Sequence, residues 1–186
     1  IESDPGASIV YGQKTKNKEE LQEMINQDKW DDIYKKYPVA DGDFVYLPAG
    51  CLHAMGKGNV VYEIQQSTDV TYRFYDYHRK DKDGNERELH LKQAIDCLSF
   101  DKDIDKNDVH PVVKVHENMK ETIFISNDSF TVSQLLVIGK CQYKCDNYQL
   151  ATVVKGSGKV DEYDVKVGDN FLIPTNTSIE LDGQMM

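Results

Sequence analysis

The chain has 186 residues, of which 39% are apolar and 29% charged, and its formal net charge is −10. That length suits one large all-β domain or two small ones, and the acidic balance argues against nucleic acid or an anionic membrane as a partner. No run approaches the ~20 consecutive apolar residues of a membrane span, and no signal peptide is visible.

The chain begins at Ile1 rather than Met and enters the strand-like run ASIVYG almost at once; it ends in IELDGQMM, inside another apolar segment. Both ends are read as internal to a longer protein. Short β-rich runs then dominate, at 8–11, 44–47, 60–65, 70–77, 122–125, 130–137, 150–154 and 171–173, each bounded by turn residues. Two helical insertions interrupt them. The first follows Asn17, an N-cap with Glu20 three residues on, and carries Leu21, Met24 and Ile25 on one face. Trp30, Ile33, Tyr34 and Tyr37 repeat the helical spacing in a second short helix that Pro38 ends, and these aromatics are expected in the core. The second insertion spans 88–98, with Leu91, Ala94, Ile95 and Leu98 at helical spacing.

The acidic stretch DKDIDKND at 101–108 lacks the glycine and terminal glutamate of a calcium loop, so it reads as a solvated linker. A new β-rich unit starts near Val112, which divides the chain into 1–100, a linker over 101–111, and 112–186. Cys51, Cys97, Cys141 and Cys145 read as reduced thiols of a cytoplasmic protein, because C-x-x-x-C without a second pair or nearby histidines is a poor zinc signature.

An internal echo links the two units. GDFVYLPAG at 42–50 and GDNFLIPTN at 168–176 share Gly-Asp, an apolar run, and a proline six residues after the glycine. Eleven residues after Gly42 stands His53; eleven after Gly168 stands Ile179. One unit keeps a possible metal position and the other has lost it. A lone histidine is weak evidence for a metal, and a core histidine is the ordinary alternative.

The pattern G-x5-P-x-G-x2-H over 42–53 resembles the second motif of the cupin superfamily, small jelly-roll β-barrels, although the cupin pattern continues to an asparagine where this chain has Lys57. The next stretch, VVYEIQQSTDVTYRFYDYHRKDKDGNERELHLKQAID, resembles type I mannose-6-phosphate isomerase in its short bacterial form. The match runs through Glu63, Gln65, Gln66, Ser67, Asp69, Thr71, Tyr72, Arg73, Tyr75, Asp76 and Tyr77, and on through RELHLKQAI. This resemblance implies a mainly β fold of tandem cupin (jelly-roll) barrels with short helical insertions. It further implies zinc-dependent interconversion of mannose 6-phosphate and fructose 6-phosphate through a cis-enediol.

The residues carry that chemistry in the following way. Alternation places Thr71, Arg73, Tyr75 and Tyr77 on one face of a strand and Val61, Glu63 and Gln65 on one face of the strand before it, so Glu63 and Arg73 are expected to meet across a hairpin. Spacing alone reads that pair as a structural ion pair. The resemblance instead makes Arg73 the active-site arginine, a fixed guanidinium for the oxyanion that develops as the C–H bond breaks. It makes Glu63 a candidate for acid–base work, with the base itself left open. Arg79 and Lys80 are candidates for the substrate phosphate, and equally plain solvated charges after a strand. His53 is the implied zinc ligand, the remaining ligands being expected upstream of residue 1, so that the chain alone would hold one ligand of a site that needs at least three and would be inactive. The expected partner is a small sugar phosphate; the oligomeric state is open. Two other classes stand beside this reading: a non-catalytic cupin that binds a sugar phosphate as a sensor, and another metal-dependent cupin enzyme such as an iron dioxygenase.

Overall fold

The computed structural model describes residues 1–68, 70–100 and 109–186. The expected linker at 101–108 and Asp69 of the motif lie outside the described residues. The chain falls into two compact units, Ile1–Asp108 and Val109–Met186; among the described residues the second is built from β-strands, and the first mixes short strands with three helices.

The first unit contains β1 (Glu2–Ser3), β2 (Ser8–Gln13), α1 (Lys18–Asn26), α2 (Trp30–Ile33), β3 (Tyr34–Pro38), β4 (His53–Met55), β5 (Asn59–Val60) and α3 (Leu91–Cys97). β2 is the centre of a three-stranded antiparallel sheet in the order β3-β2-β4, and β1 pairs with β5. Because side chains alternate along a strand, β2 feeds two apolar clusters. Val10 joins Leu21, Ile33, Tyr34, Leu52, Phe74, Ala94 and Ile95. Ile9 and Tyr11 join Cys51, with Tyr37, Val39, Val45 and Leu47 packed against them.

Helix α1 begins where the sequence places it. The Asn17 side chain accepts from the Glu20 backbone N–H at 2.8 Å, and the Glu20 carboxylate reaches back to the Lys16 N–H at 2.8 Å. Leu21 from this helix and Ile33 from α2 are fully enclosed. Other local expectations give way. The second short helix stops at Ile33, and Tyr34–Pro38 is a strand, because pairing with β2 (Ile9 opposite Tyr37, Val10 opposite Lys36) satisfies its backbone. Short aromatic runs are ambiguous between the two periods, and aromatic residues favour strands.

The expected strands at 44–47, 60–65 and 70–77 are not formed, apart from Val60 in β5. Among the described residues no β-ladder includes these segments beyond Val60, and alternation alone does not make a ladder. The period of two persists locally: Phe74 and Asp76 are buried while Arg73 and Tyr75 are half-buried. The helix expected from 88 starts at Leu91, because the Glu88 carbonyl and the His90 backbone N–H are engaged by Arg73.

The second unit contains β6 (Val112–His116), β7 (Met119–Ser126), β8 (Thr131–Ile138), β9 (Cys141–Cys145), β10 (Gln149–Thr152), β11 (Gly156–Val160), β12 (Tyr163–Lys166), β13 (Asn170–Ile173) and β14 (Thr177–Met185). Seven strands form one antiparallel sheet in the order β12-β11-β14-β8-β7-β6, with β9 also on β14, while β10 pairs with β13. Ile179, Leu181 and Met185 of β14 alternate into a core with Met119, Val137, Tyr143, Cys145, Val153, Val160 and Ile173. Strand β11 at Gly156–Val160 is not among the β-rich runs of the sequence. The structure shows why glycine belongs there: a Cβ on Gly156 would lie 2.0 Å from the Gln184 carbonyl oxygen, and one on Gly158 2.3 Å from that of Asp182.

The sequence echo is a structural one. In the first unit the Asp43 N–H donates to the Ala40 carbonyl (3.1 Å) while its carboxylate accepts the Ala40 N–H (3.1 Å). In the second unit Asp169 makes the same reciprocal pair with Lys166, at 3.0 and 2.8 Å. Gly42 and Gly168 both hold positive φ (81° and 92°), and so do the residues eight positions on, Gly50 (78°) and Asn176 (57°). Asparagine tolerates the left-handed region, but Gly50 has a second constraint, since a Cβ there would meet the Cys97 carbonyl at 2.9 Å and the Ser99 nitrogen at 3.0 Å.

Candidate active site

His53 opens β4 directly after the Pro48–Gly50 bend. It pairs with Tyr11, while Ala54 pairs with Val10, so His53 lies on the Ile9/Tyr11 face of the sheet rather than the face that packs on the helices. Its side chain is exposed. Nδ1 lies 3.0 Å from the Cys51 carbonyl oxygen. A carbonyl can only accept, so Nδ1 is the donor in this contact, and in the neutral imidazole that leaves the lone pair on Nε2, the tautomer a metal ligand needs. Among the described residues, no group of three His, Cys, Asp or Glu side chains comes together as a metal site. The residues therefore fit a metal at one position, His53 Nε2. The asparagine that the sequence lacks at 57 has a counterpart two residues on: Asn59 donates to the carbonyls of Ser8 (3.1 Å) and Gly56 (3.0 Å), tying the end of the motif to β2.

Arg73 is held at three points by one segment. Its backbone N–H donates to His90 Nδ1 (3.1 Å), its carbonyl accepts the His90 N–H (2.7 Å), and its Nη1 donates to the Glu88 carbonyl (3.0 Å). The next two residues are clamped from the other side: Trp30 meets Phe74 edge-on at 5.7 Å and stacks on Tyr75 at 4.3 Å, 13° from parallel. Glu63 is exposed, and among the described residues the Arg73 guanidinium donates to the Glu88 carbonyl rather than to Glu63. Among the described residues no ladder joins the two segments, so the expected contact across a hairpin is not formed.

Asp76 is buried at the centre of an ion-pair knot. Arg87 Nε donates to it at 2.7 Å and Arg79 Nε at 3.1 Å, with one terminal nitrogen of each guanidinium on the same carboxylate. Bonding to Arg87 holds the Asp76 carboxyl well below the usual carboxylate range; burial opposes this, and Arg79 adds to it. Two guanidiniums against one carboxylate leave net positive charge in an acidic chain. The chain turns immediately after Asp76 through Tyr77 and His78, both non-glycine residues in the left-handed region (φ 53° and 52°). Such strained positions cluster at functional sites. His78 Nδ1 lies 3.3 Å from Glu86, and the exposed Lys80 bridges backbone to backbone with Glu86. Asp81 closes the tip, accepting the N–H groups of Asp83 (2.8 Å) and Asn85 (2.9 Å).

The structure thus joins Arg79 to Asp76 and gathers the 73–90 segment around Arg73. Among the described residues, no hydrogen bond or ion pair joins His53, Glu63, Arg73 and Lys80 to one another. Arg87 and His90 are absent from the sequence-derived candidates. The signal for them is present in DKDGNERELH, where Asp-Gly at 83–84 marks a chain reversal that returns Arg87 to Asp76 and His90 to Arg73.

Residues 120–186 match the family of mannose-6-phosphate isomerase cupin domains. The whole chain aligns with the mannose-6-phosphate isomerase of Streptococcus mutans at 38% identity over 191 residues, covering 100% of this chain and 60% of that protein. The mannose-6-phosphate isomerase ManA of Bacillus subtilis is 36% identical, over 94% of this chain and 56% of ManA. The crystal structure of the mannose 6-phosphate isomerase from Bacillus subtilis superposes with a TM-score of 0.92 at 30% identity, over 100% of this chain and 60% of that one. The chain therefore spans less than two thirds of the length of these relatives.

Proposed function

Because this chain belongs to the mannose-6-phosphate isomerases by sequence and fold, we propose that it forms the arginine-bearing part of an enzyme that interconverts mannose 6-phosphate and fructose 6-phosphate. The observation that carries the proposal is Arg73, a guanidinium fixed by the Glu88 carbonyl on a backbone bracketed by His90. Aldose–ketose isomerisation moves a proton between C2 and C1 through a cis-enediol, and negative charge grows on the adjacent oxygen as the C–H bond breaks. A donor already immobilised needs no reorganisation at that moment, which is where electrostatic catalysis gains most. Arg73 is assigned to that oxygen.

His53 would hold a zinc ion through Nε2, and zinc there would polarise the sugar oxygens as a Lewis acid. Glu63, which is exposed, is the carboxylate assigned to proton transfer. Arg79 and Lys80 are assigned to the phosphate. The net positive charge of the Asp76 knot supports this, since an acidic chain that binds a phosphate needs a local excess of cations. The Asp76 contacts occupy part of the Arg79 guanidinium, leaving Lys80 the freer cation. The cupin domain at 112–186 is assigned a structural role, supported by Ile179 in its core where the first unit presents His53. Among the described residues no helix is long and apolar enough to cross a membrane. The four cysteines are free thiols, which supports the proposed cytoplasmic location.

The test is turnover of mannose 6-phosphate by the complete protein, stripped of metal and reconstituted with zinc, in deuterated water. Zinc-dependent formation of fructose 6-phosphate with solvent deuterium at C1 is expected. A zinc-loaded protein that binds the sugar phosphate without turnover would overturn the proposal in favour of a sensor.

A further inference from the structure

We propose that His90 is a positioning residue for Arg73, acting as a neutral imidazole that carries its proton on Nε2 and accepts the Arg73 backbone N–H at Nδ1. This inference rests on the role given above to Arg73.

A peptide N–H can only donate, so the 3.1 Å contact from Arg73 to His90 Nδ1 requires a lone pair on that nitrogen. The same histidine donates its own N–H to the Arg73 carbonyl at 2.7 Å. Arg73 belongs to no strand ladder, and the contacts with Glu88 and His90 are its hydrogen bonds among the described residues. The side chain of His90 therefore substitutes for a neighbouring strand at the one residue of this stretch assigned to chemistry.

The other end of the linkage is firm. The His90 carbonyl accepts the Ala94 N–H at 2.8 Å, the first turn of α3, and Ala94 and Ile95 are buried in the cluster that contains Phe74. Arg73 is thus tied through His90 to a packed helix, and through Phe74 to the same core. Removing the Nδ1 acceptor would leave a half-buried peptide N–H unpaired and free the backbone from which the guanidinium extends. An asparagine at position 90 can place its side-chain oxygen where Nδ1 sits; a leucine cannot.

The test uses the complete zinc-loaded enzyme with His90→Leu and His90→Asn. His90→Leu is expected to lower kcat by roughly ten- to a hundredfold with KM for mannose 6-phosphate little changed, as misplacement of a transition-state group predicts. His90→Asn should restore most of that loss. Nitrogen-15 spectra of the wild-type imidazole should show Nδ1 unprotonated and Nε2 protonated, and the Arg73 amide proton should move to higher field in His90→Leu alone. A protonated Nδ1, or a folded His90→Leu enzyme with unchanged kcat, would overturn the inference. If His90→Leu does not fold, the asparagine variant and the imidazole spectrum decide. If the wild-type enzyme has no isomerase activity, the failure lies with the role of Arg73, and the spectrum still decides the state of His90.

Discussion

His53 and Tyr11 face one another across the antiparallel ladder of β4 and β2, and Ile179 faces Tyr143 across β14 and β9 in the same way. Both tyrosines are buried, at 2% and 6% exposure. The two units thus place the eleventh residue after the glycine of the Gly-Asp turn at a like position beside a buried tyrosine. In one the residue is an exposed imidazole; in the other it is an isoleucine in the core. On the zinc role proposed for His53, replacing it by Ala in the complete protein should abolish zinc binding and turnover together while leaving the metal-free fold intact, since an exposed side chain contributes within about 0.5 kcal/mol. Zinc per chain by mass spectrometry, turnover, and metal-free Tm give the three readouts. Retention of stoichiometric zinc would remove His53 from the site.

Arg73→Lys should cost about 10²–10³-fold in kcat, the usual loss when a preorganised oxyanion donor is removed. Lysine keeps the charge but lacks the planar fork that reaches the Glu88 carbonyl with one nitrogen and leaves others for a ligand. Circular dichroism and Tm should match the parent. A lysine enzyme of near-normal kcat would show that charge, not geometry, is what this position supplies.

The Asp76 knot makes an acid-stability prediction. Its carboxyl titrates below the ordinary value in the folded state, chiefly through Arg87, so its stabilisation is fully present above the unfolded value of about 3.9 and is lost as pH falls further. Asp76→Asn should lower Tm by several degrees at neutral pH, because it leaves Arg79 and Arg87 without their shared partner. The gap between parent and variant should close progressively below about pH 4. A gap that does not depend on pH would mean that packing, not charge, is at stake.

Thiol accessibility checks the description of the first unit. Burial pushes the Cys51 thiol up to about 11, and the side chain is enclosed beside Ile9 and Tyr11, whereas Cys97 at the end of α3 is exposed. At pH 8, iodoacetamide should label Cys97 in the native protein and reach Cys51 only after unfolding. Peptide mass mapping reads the order; early labelling of Cys51 would contradict the packing of the bend that leads to His53.

Much of the candidate site is legible in the residues themselves. The Asn17 cap, the two Gly-Asp turns and the bend that presents His53 are set by local chemistry, in hydrogen bonds and φ angles that span a few residues, so their signatures survive in a linear string. The clusters around Arg73 are different. Alternation survives at 73–76, where Phe74 and Asp76 are buried, yet among the described residues 61–66 and 70–77 form no strand, because a strand exists only if a partner strand takes its hydrogen bonds. Tyr34 and Tyr37 carry helical spacing and still form β3, because β2 offers that pairing. Glu63 and Arg73 have the spacing of a cross-strand pair, but tertiary structure gives Arg73 to Glu88 and His90 instead. Local sequence thus determined the turns, caps and apolar periods; which chain segment answered each unpaired donor was decided only when distant residues met.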